Sequence, residues 1–307
     1  MNAQKSTMIC PTTDWGFKRI FGNEKDRKFL ISFLSAVLNV KIETVELQNS
    51  ERQPELEGGH AILHDVVCED NEGNSYYLEM QVKSHPGLTN RSIFYLCKNF
   101  VDRFLQGESY EKMGKSCGVF ILVSDMGSEH PNVLEDYLLQ NQVEPYNTLV
   151  GIQLILLNLS RFDKEAEDCH KMLDKWLYNL KHMSSMQELK FKDDDPVFKE
   201  LEALVKRDDL TEEERWMYRR QFDRYREVKE AIQIEVEESR KKAQLEGREE
   251  GREEGREEGR EEGREEGRME EQKKTLKNLM GIGLADSQIK KVMEIDDKEL
   301  EELKKSL

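Results

Sequence analysis

The sequence predicts an α/β sandwich around a mixed central sheet, followed by a polar, helical C-terminal extension. Helix-type and strand-type periodicities run in the order αβββαβ, with one further strand, up to residue 162. Gly118-Val-Phe-Ile-Leu-Val123 and Ile152-Gln-Leu-Ile-Leu-Leu157 are short, continuously apolar runs, the pattern of strands covered on both faces. Beyond residue 163 no strand pattern remains. The expected organisation is an α/β domain over 1–162, a helical extension over 163–246, a repeat spacer over 247–268 and a small helical tail over 269–307.

After a polar start, Trp15 to Phe21 and Glu24 to Val40 read as helices, and Phe29, Leu30, Phe33, Leu34, Val37 and Leu38 recur at the spacing of one buried face. Ile42 to Leu47, Ala61 to Glu69 and Ser75 to Lys83 read as strands. The last two are joined by Asp70-Asn71-Glu72-Gly73-Asn74, which is turn chemistry. Residues 89–106 return to helical spacing through Ile93, Leu96, Phe100, Phe104 and Leu105. Two helical segments follow, at about 164–180 and 195–206. A longer helix begins at Thr211, which forms a capping box with Glu214 and precedes Tyr218, Phe222, Tyr225 and Ile232 along one side.

That helix runs into five copies of Gly-Arg-Glu-Glu from Gly247 to Glu266, with a sixth begun at Gly267. A period of four is close to the helical 3.6, and Glu and Arg three apart attract. The neighbours four apart are like-charged, and each interior Gly costs about 1 kcal/mol relative to Ala. With no apolar seam, the repeat reads as a solvated helical or fraying spacer, not a binding site. Past it, Gly281, Gly283 and Asp296-Asp297 divide two or three short amphipathic helices. Their spacing suits a small helix-turn-helix that reads DNA and equally a helical hairpin that packs on a partner.

Composition narrows the function classes. No apolar run approaches the roughly 18 residues that span a membrane, and the first residues lack a signal-peptide pattern, so a cytoplasmic protein with no membrane partner is expected. The five cysteines are scattered and never paired as C-x-x-C, which points to reduced, mostly buried thiols. The net charge is −16, and the first 190 residues alone hold 20 Lys and Arg against 27 Asp and Glu. Such acidity opposes nucleic-acid binding. The objection is weakened, not removed, where clustered carboxylates hold a divalent cation.

Chemistry concentrates in the second hairpin. Asp65 and Glu79 are equidistant from Glu72 at the turn centre, so that register sets them directly opposite each other; a slip of one residue would separate them. Gln81 and Lys83 share the Glu79 face, and Leu78, Met80 and Val82 share the other. Facing carboxylates repel, and a cation between them resolves the conflict. Two carboxylates, a backbone carbonyl such as that of Met80, and waters make an oxygen-only site suited to Mg²⁺ or Mn²⁺. The ordinary alternative is an exposed hairpin with surface acids, a role that suits Asp70 and Glu72. A zinc reading of His60 and His64 fails, because His64 faces away from Asp65 along a strand and no further His or Cys stands at ligand spacing.

Asp in the second strand and Glu-x-Gln in the third resemble the PD-(D/E)XK nuclease superfamily, with its restriction-endonuclease-like core. Phe17-Lys-Arg-Ile-Phe-Gly-Asn-Glu-Lys25, Leu30-Ile-Ser-Phe-Leu34, Gly73, Glu79-Met-Gln81 and Arg91-Ser-Ile-Phe-Tyr95 resemble, more narrowly, its family of transposases, related to the bacterial recombination-promoting nucleases. This similarity extends into the repeat and the tail. The resemblance implies a Mg²⁺-dependent DNA endonuclease of transposition or recombination, with Asp65 and Glu79 binding the metal and Glu24 as an accessory acid. It places Gln81 where the superfamily usually has Lys; an amide can hold the attacking water but supplies neither charge nor proton uptake. Lys83 is then either a donor of the missing charge or a solvated strand end. Arg91 meets a phosphate or pairs with a neighbouring acid. Cleavage of both strands of a duplex would favour a homodimer. The competing class is a catalytically inactive protein of the same fold that assembles through its helical tail, favoured by the acidic balance and Gln81.

Overall fold

A computed structural model of the protein describes residues 7–48, 51–52, 62–63, 65–83, 87–105, 114–124 and 132–307. His60 and His64 lie outside the described residues. The chain divides into two compact units, Met1–Gln233 and Ile234–Leu307.

The first unit opens with helices α1 (Asp14–Phe21) and α2 (Lys28–Leu38), then strands β1 (Val45–Leu47), β2 (Glu51–Arg52), β3 (Ile62–Leu63), β4 (Val66–Asp70) and β5 (Ser75–Gln81). Helix α3 (Leu88–Leu105) leads to β6 (Ser116–Leu122), β7 (Leu134–Gln140) and β8 (Thr148–Asn158), and helices α4 (Met172–His182) and α5 (Pro196–Val205) follow. Six strands form one sheet in the order β1-β4-β5-β6-β8-β7; β2 and β3 pair separately. The β5–β6 and β6–β8 pairs are parallel and the remaining pairs antiparallel, so the sheet is mixed, as the alternation of elements predicts.

Strand β6 is buried along its whole length because both faces are covered. On one face Leu78, Val119, Ile121 and Leu157 meet side chains of α1, α2, α4 and α5 in a continuous core. Its aromatic centre links Phe17 to Phe21, Phe21 to Phe33 and Trp176 to Phe198, with ring centroids 4.8, 4.9 and 5.1 Å apart. On the other face Val67, Tyr77, Phe120, Leu122, Leu154 and Leu156 pack with Leu88 and Leu96 of α3.

Three details depart from the expected elements. The strand expected over Ala61 to Glu69 is interrupted: Ile62–Leu63 pairs with Glu51–Arg52, and pairing to β5 resumes only at Val66. Helix α2 starts at Lys28, after a turn in which Asp26 Oδ1 accepts from the Lys28 N–H at 3.1 Å. Strand β7 carries no alternation and no β-branched residue, so periodicity does not reveal it; it forms as the outer partner of β8.

Helix α6 (Glu212–Gly281) begins in the first unit and continues into the second. Its capping box is present: the Thr211 N–H donates to Glu214 Oε2 at 2.9 Å, and the Glu214 N–H donates to Thr211 Oγ1 at 3.2 Å. Tyr218 and Tyr225 tie the N-terminal segment down, their hydroxyls accepting from the Cys10 N–H at 3.0 Å and from Thr12 Oγ1 at 2.9 Å. In the second unit α6 ends at Gly281, and Gly283 takes φ +83°, a left-handed conformation that a glycine adopts without strain. Helices α7 (Asp286–Met293) and α8 (Asp297–Lys305) then close a small core of Leu276, Ile289, Leu300 and Leu303. Asp296 caps α8, as its place between two amphipathic segments implies.

Candidate functional site

The hairpin turn sets the register on which the site depends. Asp70 Oδ1 accepts from the Glu72 and Asn74 N–H groups, both at 2.9 Å; Oδ2 accepts from Asn74 Nδ2 at 2.9 Å and the Tyr76 hydroxyl at 2.7 Å. Gly73 takes φ +79°, where a side chain would be strained. The resulting pairs are Val66 with Leu78, Val67 with Tyr77, Cys68 with Tyr76 and Glu69 with Ser75. They are the pairs of a hairpin centred on Glu72, and Asp65 and Glu79 are next in that register.

Asp65 itself stands just before β4, at a bend. The ladder has stopped, and its carboxylate replaces the lost backbone acceptor: Oδ2 accepts from the Met80 N–H at 2.7 Å. Burial raises the Asp65 carboxyl most, the Met80 hydrogen bond and the Lys18 charge oppose that, and the charges of Glu79 and Asp14 add to the rise, which leaves it at about 7. Glu79 is only 5% exposed. Its Oε2 accepts from Gln81 Nε2 at 2.6 Å, and Gln81 Oε1 accepts from the Arg91 guanidinium at 2.8 Å. Arg91, in the first turn of α3, also lies 6.0 Å over the Tyr95 ring. A chain Arg91–Gln81–Glu79 therefore reaches from the exposed rim to a buried carboxylate.

The structure brings Asp65, Glu79, Met80, Gln81 and Arg91 together at one end of the β4–β5 fork. Lys83 is exposed, two residues beyond the end of β5. Glu24 is exposed in the turn after α1. The eight residues of α1 span roughly 12 Å, so Glu24 lies beyond the end opposite to Asp14. Asp14, the first residue of α1, is the acid whose charge reaches Asp65, and it is paired with Lys18 at 2.8 Å. The sequence carries a signal only for the start of α1, not for the approach to Asp65: Thr13 precedes an apolar-periodic run, and its hydroxyl caps α1 by accepting from the Gly16 N–H.

The donor set fits a hard divalent cation. A half-buried carboxyl held near 7 by burial and by a neighbouring carboxylate is a pair that takes a proton when no other positive charge is present. Among the described residues no group of three or more His, Cys, Asp or Glu could hold a metal ion. The side chains would thus complete only part of a shell, and backbone carbonyl and solvent oxygens the rest. All five cysteines are free, and burial pushes the Cys68 thiol far up, as expected of an inert core group. No helix among the described residues is long and apolar enough to cross a membrane.

Neither a curated protein nor a solved structure matches the chain. One family model does, over residues 11–235; the match takes in α1, the β4–β5 fork, α3 and the sheet, and stops short of the Gly-Arg-Glu-Glu repeat and the tail. The matched stretch is a mixed sheet flanked by helices, and the chain belongs to the PD-(D/E)XK nuclease family transposases.

Proposed function

We propose that this protein is a divalent-cation-dependent DNA endonuclease that hydrolyses phosphodiesters in transposition or recombination. The observation that carries the reading is the nearness of Asp65 to buried Glu79, whose charge helps raise the Asp65 carboxyl to about 7. Asp65, Glu79 and the Met80 carbonyl would hold Mg²⁺ or Mn²⁺, with Asp14 in the accessory place expected of Glu24. When bound, such an ion supplies Lewis acidity toward a phosphodiester and an acidified water.

The protein's own groups do the positioning. The Met80 N–H fixes the Asp65 carboxylate, and Gln81 fixes that of Glu79. Arg91 is exposed and bonded to a neutral amide oxygen, so an entering phosphate, the stronger acceptor, draws it away. That exchange frees Gln81 Oε1 to orient the attacking water. Lys83 donates the charge that Gln81 lacks. The working form is a cytoplasmic homodimer with duplex DNA as its partner.

A catalytically inactive interaction protein, assembling through its tail, is the second reading. It is favoured by Gln81, whose amide is engaged at both ends, and by the net charge of −16. Incubating the protein with plasmid DNA and Mg²⁺ or Mn²⁺, beside Asp65→Ala, separates the two. Cleavage by the wild type alone is expected; equal cleavage by both removes the site assignment, and cleavage by neither selects the second reading.

A further inference from the structure

A second site of opposite charge lies where the N-terminal segment, the turn after α5 and the first turns of α6 meet. A cavity of about 390 Å³ is lined by Arg207, Arg215 and Arg219, with Tyr218, Thr7, Leu210 and, among the described residues, a single acid, Asp208. Three guanidinium groups against one carboxylate give a local positive excess in a chain whose net charge is −16.

The partners of these arginines among the described residues leave that charge in place. Arg215 donates to the Asp208 backbone carbonyl at 2.7 Å, and Arg207 donates to the Tyr218 hydroxyl at 3.0 Å. Arg207 is held over the rings of Tyr218 and Phe222, at 5.1 and 5.7 Å, and its backbone N–H donates to the Thr7 carbonyl at 2.7 Å. Its Nε is buried with no hydrogen-bond partner among the described residues. A buried guanidinium N–H without an acceptor calls for one. Arg215 and Arg219 are four residues apart, on one face of α6, where like charges repel. Arg215 also lies in the first turns of that helix, where the macrodipole disfavours a cation. An anion in the pocket relieves the two charge conflicts on α6, and the planar forks of arginines lining one pocket match the oxygens of a phosphate better than a monatomic ion.

We propose that this pocket binds a phosphate group, as a free phosphate or a backbone phosphodiester, through Arg207, Arg215 and Arg219. The site requires neither a metal nor the Asp65 carboxylate, so it is tested in EDTA and stands apart from the nuclease reading. The full chain is titrated by calorimetry with inorganic phosphate, and separately with a short DNA duplex, at constant ionic strength. Saturable phosphate binding is expected, weakened about tenfold or more in Arg219→Glu, whose exposed side chain supports no core packing. Arg215→Gln is the second variant, and an unchanged melting temperature confirms that each is folded. Absence of saturable binding to wild type, or equal affinity in the folded variants, overturns the proposal. The duplex arm identifies the source: a parallel loss of duplex affinity marks backbone phosphate, and retained duplex affinity with lost phosphate binding marks a free phosphate.

Discussion

Two aspartates of one hairpin titrate in opposite directions, and each direction makes a prediction. Asp65 sits above its ordinary value because burial and the nearby acids penalise its charge. Folding therefore favours its protonated form, so its contribution to stability is full below the unfolded pKa of about 3.9 and is lost as pH rises through about 7. In EDTA the protein should lose on the order of a few kcal/mol between pH 5 and pH 8 from this group. Asp65→Asn should flatten that loss, and Mg²⁺ should recover stability at pH 8 in the wild type alone. Thermal melts at the two pH values check this; an equal slope in wild type and variant would sink it. Asp70 behaves the other way. Burial alone would raise it, but hydrogen bonds from Asn74, Tyr76 and the turn N–H groups hold it below its ordinary value. Its stabilisation is present at neutral pH and lost as pH falls through that lowered value. Asp70→Ala should cost about 2 kcal/mol at pH 7, read from urea midpoints. Sequence alone showed the turn but not that one carboxylate organises it, because four donors converge only once the chain has folded. Asp14 went unread for a related reason: its link to Asp65 crosses from α1 to the sheet, and no local pattern encodes that approach.

Elements were legible where a local rule applied and obscure where a partner decided. The β4–β5 register followed from the turn, the α6 start from the Thr211–Glu214 capping box, and the tail breaks from Gly283 and Asp296. Strand β7 and the bend at Asp65 depend on what lies alongside, β8 in one case and the end of the β4–β5 ladder in the other. The repeat tests local rules most directly. It is helical throughout, yet a Cβ added at Gly247, Gly251, Gly255, Gly259, Gly263 or Gly267 meets nothing within 4 Å among the described residues. These glycines therefore bear only the backbone-entropy cost. Changing Gly251 and Gly259 to Ala should stabilise this stretch by about 1 kcal/mol each. Slower amide exchange there, with the first unit unchanged, is the expected reading; faster exchange would mean that the glycine faces meet a partner's backbone.

At the scale of the whole molecule, the two compact units rest on cores of very different size. The first unites α1, α2, α4 and α5 with the sheet around Trp176, so the helices after residue 163 share one core with the nuclease fold. The second closes on four buried side chains, Leu276, Ile289, Leu300 and Leu303. Four aliphatic side chains at ~2 kcal/mol each leave little after the entropy of ordering three helices. Along α6 the side chains stop packing into the first core near Tyr225, and residues 233–244 are exposed. Calorimetry of the full chain should therefore show two transitions, the smaller and earlier one from the tail. A chain ending at Gln244 should lose that early transition, keep the main one within about 2–4 °C and keep its cleavage activity. A single transition that drops well beyond that on truncation would show that the tail supports the nuclease fold. If instead truncation leaves melting and cleavage intact but weakens duplex affinity tenfold, the tail reads DNA; if affinity also holds, its helices serve assembly.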